Sequence, residues 1–212
     1  RAVTDLMEPG SSFKVVTAAA LLEEGLVQLD ERFFCENANY PIPGGRILHD
    51  HRPHGWLTFH EVIKLSSNIG TAKAAQRLSP ETLYRYIRAF GFGQRTGVEL
   101  PGEVSGLTPA PSKWSKVSPF NIPIGHGIAV TPIQLAVMTA TVANGGWKVK
   151  PFVVQRIQTP EGTLLRSFQP PPGERLLSPE AVNALHTLLI SVVESGTGQL
   201  ANVQGLTVAG KT

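Results

Sequence analysis

The sequence predicts an α+β fold, in which helices pack with an antiparallel sheet instead of alternating with parallel strands. Five segments begin with helix start signals and carry apolar residues at helical spacing. Two β-prone runs after residue 149 flank a turn, and an apolar strand-like run lies near residue 208. We therefore expect a helical part over about residues 11–148, and a part with a hairpin, a helix and a sheet over about 149–212.

The first predicted helix runs from Ser11 to Glu24 and is apolar on nearly all of its faces. Glu8-Pro9-Gly10 precedes it, and Gly25 follows as a residue suited to the left-handed conformation beyond a helix end. A helix that is apolar all round is a buried helix. We therefore expect this helix to lie in the core.

Four further helices are predicted from capping residues. Thr58 and Glu61 have the spacing of a reciprocal capping pair, at the start of a helix that runs towards Leu65. Serine or threonine followed by proline opens the other three, over about residues 79–90, 131–144 and 178–194.

The predicted strands are concentrated after residue 149. The runs Phe152–Ile157 and Thr163–Phe168 flank Thr159-Pro160-Glu161-Gly162, which has the composition of a hairpin turn. A last strand is predicted over Leu206–Ala209. The proline-rich stretch 98–120 has little periodicity and is interpreted as an ordered loop.

Composition excludes several classes of function. The net charge is only +3 and the basic residues are scattered, so we expect no nucleic-acid partner. No apolar run approaches the roughly 18 residues that a membrane-spanning helix needs. Because the chain opens on Arg1 and closes on Lys211-Thr212, we interpret it as a piece of a longer protein, with an anchor or further domain upstream.

Ser11 and Lys14 are the first candidates for chemistry. Three residues apart at the start of a helix, they project from the same face one turn apart, so that a nucleophile and a base can touch. The backbone N–H groups of a helix start are also suited to stabilising an oxyanion. Ser11 can equally be a plain helix cap, and the spacing alone leaves both interpretations open.

Two further short elements follow in the chain. Ser66-Ser67-Asn68 lies at the end of a predicted helix, and Lys211-Thr212 lies at the end of a predicted strand. Ser-x-x-Lys, a Ser-x-Asn element and Lys-Thr-Gly occur together, in this order, in β-lactamases and penicillin-binding proteins.

The sequence resembles the transpeptidase domain of class B penicillin-binding proteins over almost its whole length. Six segments carry the resemblance in order: residues 1–11, 66–70, 125–134, 143–146, 193–198 and 208–212. It implies a penicillin-binding/serine β-lactamase-like fold, with a sheet packed with helices and a helical subdomain, here truncated at both ends. It implies no cofactor.

The function that this resemblance implies is a serine acyl transfer on the D-Ala-D-Ala end of a peptidoglycan stem peptide. Ser11 would be the nucleophile, Lys14 its base, and Ser66 a relay that protonates the departing amine. Asn68 would hold Lys14 and the acyl-side amide of the substrate.

Lys211 and Thr212 would bind the terminal carboxylate of the stem peptide or of a β-lactam. Because the family places a second oxyanion donor beyond the Lys-Thr-Gly element, we expect this fragment to be incomplete for activity. The expected partners are stem peptides, β-lactams, a membrane glycan polymerase and other division or elongation proteins. The expected location is the outer side of the bacterial plasma membrane, with an N-terminal anchor outside this chain.

Other functions are weighed against this one. A class A β-lactamase needs a Glu-x-x-Leu-Asn string, which is absent between Ser66 and Lys211, and class D enzymes carry a β-branched apolar residue in place of Asn68. A D,D-carboxypeptidase and a non-catalytic scaffold of a septal or elongation complex remain as alternatives.

A zinc site is the last candidate, since Cys, Asp and His are suitable ligands and cluster in one loop: Cys35, His49, Asp50, His51 and His54. Related elongation-type enzymes that hold zinc near this loop use a cysteine as the middle residue of the second motif, where this chain has Ser67. We therefore expect no metal, and a loop whose polar groups are satisfied locally.

Overall fold

Seven α-helices and six short strands make up the regular structure of the described residues, 1–169 and 173–212, in a computed structural model. The helices are α1 (Lys14–Glu23), α2 (Phe59–Lys64), α3 (Asn68–Ala75), α4 (Pro80–Ala89), α5 (Ser118–Asn121), α6 (Pro132–Ala143) and α7 (Pro179–Ser195). The strands are β1 (Arg32–Phe34), β2 (Asn39–Ile42), β3 (Arg46–His49), β4 (Trp56–Thr58), β5 (Arg156–Gln158) and β6 (Leu164–Ser167). The predicted mixture of helices and antiparallel strands is confirmed.

Helix α1 forms the centre of the core. Its residues from Lys14 to Leu21 are all buried, and it packs against α3, α4 and α7. Its start differs from the prediction, because Gly10–Phe13 forms a 3₁₀ turn and the α-helix begins only at Lys14. Gly25 follows the helix with a φ of +63°, as the sequence predicted.

The predicted capping residues begin their helices as expected. Thr58 and Glu61 form a capping box at α2, and Thr131 forms another with Gln134 at α6. Ser79 and Ser178 accept hydrogen bonds from the first turns of α4 and α7. These side chains satisfy backbone donors that have no partner within the helix.

The position of the strands is where the prediction was wrong. Four of the six strands of the described residues, β1 to β4, lie between residues 32 and 58, and β1 pairs with β4 while β2 pairs with β3. These strands are only three or four residues long, so they show no alternating apolar pattern. The predicted hairpin is confirmed as β5–β6.

The strand predicted over Leu206–Ala209 is also wrong. No strand of the described residues pairs with this run, and a strand needs such a partner for its backbone groups. Gly210 instead donates its backbone N–H to the Leu189 carbonyl of α7. The stretch 98–120 is largely irregular, as expected, with a 3₁₀ turn at Pro111–Lys113. No helix within the described ranges is long and apolar enough to cross a membrane.

Candidate active site

Ser11 lies on the 3₁₀ turn that precedes α1, and a second chain segment fixes this turn. The Gly10 N–H donates to the Gly125 carbonyl at 3.1 Å. Gly125 has a φ of +84°, and a Cβ at this position would lie 2.1 Å from the Gly10 carbonyl oxygen. Only glycine allows this approach without displacing the backbone.

Glu8 adds a second link between the same two segments. Its Oε1 accepts the Gly127 N–H at 2.8 Å, and Met7 bridges to Val130 in antiparallel fashion. In the sequence, segment 125–134 stood out only as part of the family resemblance, and the structure gives it a physical role. It holds the backbone of the Ser11 turn in place.

Lys14 is fully buried beneath this turn, and its amine points towards the second motif. Its Nζ donates to the Ser66 carbonyl at 2.6 Å, to Asn68 Oδ1 at 2.8 Å and to Ser66 Oγ at 3.2 Å. The contact predicted between Ser11 and Lys14 is not a hydrogen bond here, since among the described residues the amine's partners are all on residues 66 and 68.

Burial lowers the pKa of the Lys14 amine to about 7, from an ordinary value of 10.5. Desolvation of the ammonium is the largest cause, and the positive charge of Lys211 acts in the same direction, whereas Asp50 opposes both. Near neutral pH a substantial fraction of the amine therefore carries a free lone pair, which a general base requires.

The second motif forms a turn between two helices. Ser66 has a left-handed φ of +59°, and Ser67 is the N-cap of α3, where its Oγ accepts the Gly70 N–H. The sequence analysis placed Ser66 at the end of one helix and did not predict α3. The signal was present, because Ser67 followed by apolar residues at helical spacing is typical of a helix start. The left-handed residue lets the chain reverse between α2 and α3 while it presents Ser66 to Lys14.

The C-terminal pair reaches the same place from the other side. Lys211 Nζ donates to Ser66 Oγ at 2.8 Å, and Thr212 Oγ1 lies 2.6 Å from Thr197 Oγ1. Burial lowers the pKa of the Lys211 amine to about 8. Lys14 and Lys211 thus share one hydroxyl, that of Ser66.

The predicted site residues surround one cleft of about 670 Å³. Ser11, Ser66, Asn68 and Thr212 line it. One wall comes from the loop after β3, and the opposite wall comes from the segment after α7, with Ser195, Gly196, Thr197 and Gln199. Lys14 lies beneath the cleft, and Lys211 also borders a separate, smaller apolar groove between α1, α6 and α7.

The loop considered for zinc has other contacts. Cys35 Sγ is 3.4 Å from Ser67 Oγ, the carboxylate of Asp50 accepts hydrogen bonds from the second motif, and His49 Nδ1 pairs with Asn39 Oδ1 at 2.9 Å. Burial raises the pKa of the Cys35 thiol. Across the part of the chain that the structure describes, no group of three or more His, Cys, Asp or Glu side chains is arranged to hold a metal ion.

The family model described as the penicillin binding protein transpeptidase domain matches residues 1–212. The chain belongs to this family. It is 42% identical to penicillin-binding protein PbpB of Mycolicibacterium smegmatis, over 99% of this chain and 33% of that protein. It is 32% identical to peptidoglycan D,D-transpeptidase FtsI of Escherichia coli, over 100% of this chain and 34% of that protein.

Solved structures agree with this assignment. Penicillin binding protein 3 of Mycobacterium tuberculosis, in a crystal structure complexed with aztreonam, matches with a TM-score of 0.90 and 37% identity. That match covers 99% of this chain and 48% of the other. This transpeptidase-family chain spans about a third of the length of PbpB and FtsI. The predicted family and fold are confirmed.

Proposed function

We propose that this chain carries the acyl-transfer site of a peptidoglycan D,D-transpeptidase, which acts on D-Ala-D-Ala stem peptides and is acylated by β-lactams. One observation carries the proposal: a buried lysine amine with a pKa of about 7 joins Ser66 and Asn68 behind the Ser11 turn. A general base near neutrality, next to a hydroxyl nucleophile in an open cleft, suits acyl transfer.

In the proposed first step, Ser11 Oγ attacks the carbonyl carbon of the penultimate D-alanine. The Ser11 hydroxyl proton passes to the Lys14 lone pair, directly or through Ser66. As the tetrahedral intermediate breaks down, the C–N bond opens and a proton returns through Ser66 to the departing D-alanine amine. The product is an ester between Ser11 and the peptide.

Substrate orientation is assigned to the other motif residues. The Lys211 ammonium and the Thr212 hydroxyl would bind the terminal carboxylate, because a cation and a hydroxyl donor suit that anion. Asn68 would hold the acyl-side amide. Thr212 Oγ1 lies 2.6 Å from Thr197 Oγ1, and either hydroxyl can be the donor of this bond. When Thr197 donates, the hydrogen of Thr212 is left for the carboxylate.

The acceptor in the second step separates a transpeptidase from a carboxypeptidase. Attack by an amine of a second stem peptide gives a cross-link, whereas attack by water gives a shortened peptide. The E. coli relative, which matches 100% of this chain over 34% of its own length, is named a D,D-transpeptidase, and this name supports the first reaction.

The wider setting is part of the same proposal. We assign residues 1–212 to one transpeptidase domain, with a helical part over about 11–148 and a part with a hairpin and a helix over about 149–212. The protein would act on the outer side of the plasma membrane, held by an N-terminal segment, beside a membrane glycan polymerase and division or elongation proteins. The name of the E. coli relative, a peptidoglycan D,D-transpeptidase, supports a role in the cell wall.

Labelling with a fluorescent penicillin tests the assignment of Ser11 in the complete protein. We expect Ser11→Ala to abolish the covalent label and Ser12→Ala, at the neighbouring hydroxyl, to keep it. A label that survives Ser11→Ala would disprove the nucleophile. A folded wild-type protein that takes up no label would instead favour the non-catalytic scaffold.

The acceptor is tested with a stem pentapeptide and a labelled amine. A cross-linked amide is the expected product. A tetrapeptide with no amide product, together with Ser11-dependent labelling, would identify a carboxypeptidase.

A further inference from the structure

The carboxylate of Asp50 receives three hydrogen bonds, two from the second motif and one from Ile69, the residue that follows it. Its Oδ2 accepts the Ser67 hydroxyl at 2.6 Å, and its Oδ1 accepts the backbone N–H groups of Asn68 at 2.5 Å and Ile69 at 3.0 Å. Both N–H groups belong to the first turn of α3, where the helix itself offers no acceptor. A negative charge is also favourable at this end of a helix.

The β2–β3 pair sets the position of Asp50. Asn39 of β2 pairs with His49, the last residue of β3, and the Asp50 N–H donates to the Ala38 carbonyl at 3.2 Å. The His49 carbonyl accepts the Asn68 side-chain Nδ2 at 2.8 Å. Two successive residues therefore hold the second motif by its backbone, by its serine hydroxyl and by its amide side chain.

This hold bears directly on Lys14. The Ser66 carbonyl and Asn68 Oδ1, which accept from the amine, both extend from the turn that Asp50 fixes. The left-handed backbone of Ser66 is disfavoured for a residue with a Cβ, so the turn needs bonds outside itself to persist.

We propose that Asp50 is a positioning residue of the acyl-transfer reaction, whose carboxylate fixes the Ser66–Asn68 turn against the Lys14 amine. The proposal rests on the proposed function. Asp50 acts through the turn and through its charge and makes no assigned contact with the substrate. Asp50 also borders the cleft. Its replacement by asparagine would alter the surroundings of the Lys14 amine without blocking the entry of substrate.

The charges near the amine give this proposal a second readout. Lys211 lowers the pKa of Lys14 and Asp50 raises it. The titratable groups around Asp50 itself are Lys14, Cys35 in the buried contact with Ser67, and its chain neighbours His49 and His51. Neutralising Asp50 should therefore lower the pKa of the Lys14 amine. It should also loosen the Ser66–Asn68 turn, which carries the hydrogen-bond acceptors of that amine.

The test measures the acylation rate with a fluorescent penicillin from pH 5.5 to 10, in the complete protein. We expect Asp50→Asn to lower the plateau rate by about 10- to 100-fold, because small displacements of catalytic groups have effects of this size. We expect the midpoint of the rise in rate to move to lower pH. The matched control Asp30→Asn, an exposed carboxylate away from the cleft, should change neither quantity.

A second variant separates the hydrogen bond from the charge. Ser67→Ala removes the 2.6 Å bond, together with the N-cap bond from the Gly70 N–H, and keeps the carboxylate, so the plateau should fall while the midpoint stays. If Asp50→Asn does not fold, judged by circular dichroism and thermal unfolding, this variant decides: an unchanged plateau overturns the proposal.

A folded Asp50→Asn protein with the wild-type plateau and midpoint, or with only a lower melting temperature, also overturns it. In that event Ser11-dependent labelling of the wild type would still stand. Loss of that labelling is the separate failure that would remove the proposed function itself.

Discussion

Replacing Lys14 with methionine should stabilise the protein at neutral pH while it abolishes acylation. Methionine has a similar shape and carries no charge. The pKa of the buried amine, about 7 against an ordinary 10.5, means that the folded state holds the ammonium less well than the unfolded state. At 1.36 kcal/mol per pH unit this difference corresponds to about 5 kcal/mol of lost stability well below pH 7, and to about 4 kcal/mol at pH 7, where half of the amine is already neutral.

The lost hydrogen bonds act against this gain. Without the amine, the Ser66 carbonyl and Asn68 Oδ1 lose a donor, at a cost of about 1.5 kcal/mol each. The net effect of Lys14→Met at pH 7 is then a gain of about 1 kcal/mol in the free energy of unfolding.

The sign of the effect depends on pH. A lysine whose folded pKa is lowered costs stability in full below the folded value, and this cost disappears as pH rises towards the unfolded value of 10.5. At pH 10 only the lost hydrogen bonds remain important. The variant should then be less stable than the wild type by about 2 kcal/mol.

Urea unfolding followed by tryptophan fluorescence at pH 7 and pH 10 measures both values. The reasoning requires that the difference between the variant and the wild type changes sign between these two conditions. A methionine variant that loses the same stability at both pH values would show that burial does not lower the pKa of the Lys14 amine.

Two further variants test the surroundings of the site. Lys211→Ala removes a positive charge that lowers the pKa of Lys14, so the rise of acylation rate with pH should move to higher pH; a shift to lower pH would contradict the electrostatics. Gly125→Ala should destabilise the protein by about 1–3 kcal/mol and reduce acylation, because its Cβ would meet the Gly10 carbonyl. Gly145→Ala is the matched control, since its φ is also positive but nothing lies within 4 Å of the added Cβ, and its acylation rate should stay at the wild-type value.

Local chemistry in the sequence was enough to predict most of the helices. A serine or threonine cap is a contact within one turn, and Thr58, Thr131 and Ser178 each make the predicted contact. Whether residues 206–209 form a strand depends instead on the presence of a neighbouring strand, and no property of the run itself determines that.

The candidate site was likewise predictable in part: the motifs gave its residues, but not the contacts between them. The motifs predicted five site residues: Ser11, Lys14, Ser66, Asn68 and Lys211. Ser11, Ser66 and Asn68 line one cleft, and the amines of Lys14 and Lys211 both contact Ser66, although residues 11 and 211 stand far apart in the chain. Spacing within one helix predicted that Lys14 would meet Ser11. The actual partners of the amine come from a turn more than 50 residues away, which no local pattern indicates.

The role inferred for Asp50 could not be found from local patterns either. Its residue type and loop composition allowed a metal ligand, and the expectation from the sequence was a loop whose polar groups are satisfied locally. Its true surroundings depend on the register of β2 against β3, which brings the carboxylate to the start of α3.

The three acceptors around the Lys14 amine also fix how its hydrogens are distributed. A neutral amine has two hydrogens and one lone pair. The Ser66 carbonyl and Asn68 Oδ1 can only accept, and the Asn68 amide cannot be turned round, because its Nδ2 donates to the His49 carbonyl. Both hydrogens of the neutral amine are thereby committed.

The lone pair is then directed to a hydroxyl hydrogen. The charged amine donates to Ser66 Oγ, whereas the neutral amine can accept from the same hydroxyl. Ser66 Oγ accepts from Lys211 Nζ at 2.8 Å, which turns the hydrogen of Ser66 away from Lys211 and leaves it for the neutral Lys14 amine. The neutral amine therefore has one lone pair, which is left to face the Ser66 hydroxyl. The hydrogen bond from Lys211 makes that hydroxyl the donor and Lys14 the acceptor. A change that turns the Ser66 hydrogen away from the Lys14 amine, such as loss of the Lys211 donor, would therefore remove this proton path while the Ser66 and Lys14 side chains stay in place.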